Sequence, residues 1–115
     1  METQERPVNI STIAETDIQN IYLYGVETFG KNAAETFKAE LLFMIRALRN
    51  LYEIHPECRF LLTKSRMYRN IIFGSYLVIY RITPTRIEVL KAISSRMSIS
   101  KLRTARKIKN SPPLI

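Results

Sequence analysis

Four arginines in the second half of the chain, Arg59, Arg69, Arg81 and Arg96, are the side chains best suited to chemistry. A guanidinium on a rigid strand holds a phosphate or a carboxylate through two parallel N–H donors, with less lost freedom than a lysine. Tyr68, Tyr76 and Tyr80 interleave with them, and a phenol ring offers a face on which a base stacks or a wall for a groove. Sheet pairing and core packing account for Tyr76 and Tyr80 equally well. Each arginine alone fits a solvated strand or loop charge. As a group they stand out, because the acids that would balance them are scarce. Residues 58–115 carry thirteen basic side chains and one acid, Glu88, a net of +12. Residues 1–57 carry nine acids and five bases, a net of −4. Such asymmetry attracts a polyanion, nucleic acid among them, or an acidic protein partner.

Other chemistry finds little support. There is no glycine-rich phosphate loop, paired-carboxylate motif or nucleophile elbow. His55 precedes Pro56 in an expected loop. Without a second histidine or a well-placed acid it is a poor general base and reads as structural or solvated. Cys58 is the single cysteine, so no internal disulfide forms, and it reads as an inert, partly buried thiol. One Cys and one His do not assemble a structural zinc site. No metal and no cofactor are implied. No apolar stretch approaches the roughly 20 residues of a membrane span. The N-terminus METQERPV lacks the basic-then-apolar order of a signal peptide. A reduced, cytoplasmic protein is expected.

The elements that position these side chains follow from periodicity. Residues 67–93 read MYRNIIF, GSY, LVIYRI, TPT and RIEVLKAI, three short apolar runs cut by Gly74-Ser75 and Thr83-Pro84-Thr85. That is the pattern of a three-stranded antiparallel meander. Strand alternation places Tyr68, Asn70 and Ile72 on one face of the first run, and Ile87, Val89, Lys91 and Ile93 on one face of the last. Arg69 and Arg81 are expected together on the face the helices leave partly wet. Upstream, residues 6–10 form a short first strand, with Pro7 at its start or edge. Ser11 or Thr12 caps a helix running to about Phe29, with Glu15 at capping-box spacing from Thr12. Ile18, Ile21, Tyr22, Gly25, Val26 and Phe29 form its buried stripe. Gly25 suggests close approach of a neighbouring helix. Gly30 or Asn32 marks the joint. A second amphipathic helix runs from about Asn32 to Tyr52 until His55-Pro56 stops it. The short joint forces an antiparallel helical hairpin. Residues 57–66 are ambiguous: Phe60-Leu61-Leu62 either pins a loop to the core or adds a short strand. The fold class is therefore α+β, a short N-terminal strand and a helical hairpin packed on an antiparallel meander. It forms one domain over 1–115, with a core at about 7–97 and a basic extension at 98–115. Ser100 is positioned to cap a short helix in that extension.

Taken in order, VNISTIAETDIQNIYLYGVETFG, HPECR, YRNIIFGSYLVIYRI, IEVLKAI and SSR resemble the ParE/RelE superfamily of toxins from bacterial type II toxin–antitoxin modules. The likeness spans about residues 7–97, and GSYLVIYRI is its most specific piece. The resemblance implies a toxin of one of two kinds. RelE-like members cut mRNA on the ribosome with basic residues and a tyrosine, and ParE-like members block DNA gyrase without that set. Arg69 and Arg96 stand where the nucleases carry basic residues. Ile71, Leu77 and Leu102 stand where the nucleases carry a second basic residue, an arginine and a late tyrosine. Cleavage through the 2′-OH needs a proton acceptor, and an arginine stays protonated, so the loss favours the ParE-like branch. Ser94-Ser95-Arg96 lacks the histidine that ParE-like proteins often carry before this arginine.

The expected function is thus gyrase inhibition by binding. The alternatives are a ribosome-dependent mRNA endonuclease and an inactive toxin-fold binding module, so enzymatic activity stays open. Target- or RNA-binding candidates are Arg59, Arg69, Tyr76, Arg81 and Arg96. The resemblance also implies a cognate antitoxin whose flexible acidic or amphipathic C-terminal segment wraps the toxin, with Arg69, Arg81, Lys91 and Arg96 as its contacts.

Overall fold

The structure, a computed structural model, describes residues 4–59 and 61–95. Its elements in chain order are β1 (Val8–Ile10), α1 (Thr12–Phe29), α2 (Lys31–Leu51), β2 (Tyr68–Phe73), β3 (Tyr76–Ile82) and β4 (Ile87–Ser94). They make one four-stranded sheet in the order β1-β4-β3-β2. The meander β2-β3-β4 is antiparallel, and β1 joins its far edge parallel to β4, with Val8 opposite Ile87. This is the expected α+β architecture, with a helical hairpin on an open sheet.

Ser11 rather than Thr12 caps α1. Its Oγ accepts from Ala14 N at 3.0 Å and donates to the Leu90 carbonyl at 2.9 Å, so the same hydroxyl starts the helix and fastens it to β4. The second bond decides between the two hydroxyls. It also removes the capping box, since the third helical residue is then Ala14 and not Glu15. One turn on, Asp17 Oδ2 accepts from Ala92 N at 3.0 Å. β1 pairs with β4 only up to Val89, and beyond it this side chain takes over a backbone donor of β4.

Gly30 alone joins the helices. Its φ of +93° is open to glycine, and its N–H donates to Val26 O, which ends α1. Gly25 lies where a Cβ would come 3.3 Å from the Ala34 Cβ, so the close helix approach expected there is real. Leu41, Ile45 and Leu48 of α2 are fully buried, each contributing about 1.5–3 kcal/mol through burial. They meet Ile71, Val78, Tyr80, Ile87, Val89 and Ala92 of the sheet. Phe29, expected on the buried stripe of α1, is 72% exposed at the helix end.

Two details of the sheet depart from simple alternation. A bulge between Ile79 and Tyr80 shifts the β3–β4 register, pairing Ile79 with Lys91 but Tyr80 with Val89. Ala92 therefore joins Ile87 and Val89 under the helices, and Ile93 turns to the other face. That other face is less wet than expected. Cys58 and Leu61, both fully buried, cover it together with Tyr68, Ile79, Leu90 and Ile93. The ambiguous segment is thus a loop pinned to the core through Leu61, while Leu62 is exposed. The same segment borders the outer edge of β2: Cys58 N donates to Tyr68 O and Asn70 N to Pro56 O. The expected helix in 98–115 lies outside the described residues.

Candidate functional site

The two-residue turn Gly74-Ser75 joins Phe73 to Tyr76 and sets Arg69 opposite Tyr80, and Arg81 opposite Tyr68. Arg69 therefore belongs to the helix-facing side, and Arg81 to the side covered by Cys58 and Leu61. The shared surface expected for these two arginines does not form.

Each has its own surroundings. Arg69 is bound by backbone: its Nε donates to Arg66 O at 3.0 Å, and its Nη1 to Glu53 O at 2.9 Å and His55 O at 3.0 Å. It ties the chain leaving α2 to the start of β2. Arg81 Nε donates to Glu88 Oε1 at 2.7 Å, and its guanidinium lies 5.8 Å from the centre of the Tyr68 ring. Arg86 grips the other oxygen of the same carboxylate through Nη2 at 2.7 Å. Burial alone would raise the Glu88 carboxyl, but the hydrogen bonds and charges of Arg81 and Arg86 outweigh it and hold the pKa below the ordinary value. The single acid of the basic half thus serves two arginines.

Arg59 is exposed in the loop after α2. Lys91 is half-buried on β4 opposite Ile79, and its charge acts on Asp17. Arg96 lies outside the described residues. Tyr76 is half-buried, its ring edge-on to Phe37 with centroids 5.8 Å apart. Tyr80 is buried, its hydroxyl donating to Tyr52 O at 2.6 Å, and burial pushes its pKa well up. His55 is half-buried with its ring edge-on to Tyr80, and burial lowers its pKa. Among the described residues no group of His, Cys, Asp and Glu is placed to hold a metal ion.

An apolar groove of about 240 Å³ runs beside Tyr76, between the ends of the helices that meet at Gly30. Tyr24 and Phe29 of α1 and Phe37 of α2 line it with Tyr76. Sequence reasoning missed Tyr24 and placed Phe29 in the core. The available signal was their position in the last two turns of α1, next to the joint at Gly30.

A family model described as "ParE toxin of type II toxin-antitoxin system, parDE" matches residues 8–99. The chain belongs to the ParE toxin family. A solved structure titled "Chromosomal ParDE TA system from P. aeruginosa" superposes with a TM-score of 0.66 at 14% identity, covering 80% of this chain and 98% of that one. At that identity the superposition establishes the shared fold. A search of curated proteins returns no match. This ParE-family chain is the toxin component of a type II toxin–antitoxin module. No helix among its described residues is long and apolar enough to cross a membrane.

Proposed function

We propose that this toxin acts in the cytoplasm by binding and inhibiting DNA gyrase, without cleaving a substrate. The observation that supports this most is the commitment of the tyrosines. A nuclease of this fold needs a group that takes the 2′-OH proton beside its phosphate clamp. The Tyr80 hydroxyl is buried and bonded to a carbonyl, Tyr68 sits under Arg81, and Tyr76 stands on Phe37. Arg69 is surrounded by carbonyl oxygens rather than by an acid–base pair.

One observation favours the nuclease alternative. Arg69 donates to the His55 backbone carbonyl, so the one histidine of the chain lies beside the strand arginine that the nuclease reading uses.

For the antitoxin, the groove at Tyr24, Phe29, Phe37 and Tyr76 fits the apolar side chains of an amphipathic segment, and the basic half of the chain suits its acidic ones. Arg69, Arg81, Lys91 and Arg96 stay as its proposed polar contacts. Arg81 engages it only by exchanging present partners, which include Glu88 and the Tyr68 hydroxyl.

The test is inducible expression without the antitoxin, scored for growth arrest, gyrase-linked DNA breaks and transcript integrity. Breaks with intact transcripts are expected, along with loss of supercoiling by purified gyrase. Cleaved transcripts without breaks, abolished by His55→Ala, would refute the gyrase reading in favour of the nuclease.

A further inference from the structure

A cleft of about 400 Å³ opens where the segment before β1, the loop before β2 and the β3–β4 turn meet. Arg6, Arg66 and Arg69 line it from separate parts of the chain. The parallel docking of β1 brings Arg6 there: Ile87 N donates to Pro7 O, and Arg6 Nη1 reaches the Thr83 carbonyl at 2.7 Å. The Arg6 guanidinium lies 4.8 Å from the centre of the Tyr52 ring, which holds it in place.

Three features of this cleft bear on what it can hold. The Arg6 Nε–H is buried and has no acceptor in the fold, a cost to stability that the protein itself does not offset. Arg66 is a non-glycine residue with φ of +55°, a conformation that L side chains rarely adopt. Its carbonyl receives Arg69 Nε, so the strained backbone and the neighbouring arginine hold each other at the cleft. Glu53 is the one carboxylate of the lining, and it makes no ion pair with any of the three arginines. The cleft therefore keeps an unbalanced positive charge with donors supplied from several directions. A carboxylate presents two oxygens in one plane, whereas a phosphate presents acceptors around a tetrahedron and matches such a set better.

We propose that this cleft binds a phosphate of a nucleic-acid backbone. Arg6 and Arg66 carry the recognition, and Arg69 closes the site from β2. The site is independent of the gyrase reading, because it is measured on the purified toxin alone.

The experiment uses the full chain, a fluorescent 15-base-pair duplex and inorganic pyrophosphate as competitor. Arg66→Gln should weaken duplex binding about tenfold and lower the salt slope by about one. Arg6→Gln should do the same, and Lys64→Gln, an equal charge change outside the cleft, should cost much less. Titrating pyrophosphate should shift the Arg6 Nε–H resonance in nitrogen-edited spectra. The proposal is overturned by unchanged binding in Arg66→Gln, by an equal loss in Lys64→Gln, or by an unmoved Arg6 resonance. Displacement by polyglutamate as effective as that by pyrophosphate also overturns it, by assigning the cleft to acidic protein.

Discussion

Replacing Glu88 by glutamine removes one charge and leaves two arginines facing each other. The side chain is 8% exposed, against 15% for Arg81 and 34% for Arg86. Losing the carboxylate beside Arg81, which is nearly enclosed, costs about 1.5–3 kcal/mol, in the range for charge-assisted bonds whose partner stays behind. The Arg86 contact is more solvated and adds less than about 1 kcal/mol. Glutamine still offers one acceptor oxygen, so the total settles at about 2–3 kcal/mol. For a chain of this size that lowers Tm by about 8–12 °C. The pH dependence tests the cause. The folded pKa of Glu88 lies below its ordinary value of 4.5, so its stabilisation is complete above that value and disappears as pH falls through the folded one. Thermal melts of Glu88→Gln and the parent chain should differ fully at pH 7 and converge in strong acid. A gap under about 2 °C at pH 7, or one that persists unchanged in acid, refutes the electrostatic account.

Two further substitutions test the frame around the site. Ser11→Ala removes both the helix cap and the bond to Leu90 O, and should cost about 2 kcal/mol as a lower urea midpoint at unchanged m-value. A loss no larger than that of an exposed serine would show that the cap does not fasten α1 to β4. Tyr80→Phe leaves the Tyr52 carbonyl without its donor, at about 1–2 kcal/mol by calorimetry, while growth arrest at permissive temperature should persist. Abolished toxicity in a folded Tyr80→Phe variant would restore a chemical role to that hydroxyl.

Much of this was legible from short-range rules. The helical stripe through Leu41, Ile45 and Leu48, the glycine joint and the three meander strands all follow from period and punctuation. The separation of Arg69 from Arg81 was legible too, because a two-residue turn after Phe73 fixes which residues oppose one another. The bulge at Ile79 was not, since nothing local marks where β4 gains its extra residue. The roles of Cys58 and Leu61 depended on a sheet face needing cover, a demand that appears only once the strands are assembled. The arginine cleft was hidden for the same reason. Arg6 and Arg66 are far apart in the chain and share no motif, and they meet only because β1 docks beside β4.

That docking has a consequence for synthesis. The bond from Ser11 to Leu90 spans 79 residues, so the first strand to leave the ribosome waits for the last before it finds a neighbour. The helical hairpin emerges meanwhile with the Leu41, Ile45 and Leu48 stripe uncovered, because its sheet has not yet been translated. Loop closure over that distance comes late and slowly. The four-stranded sheet therefore closes only when nearly the whole domain is free.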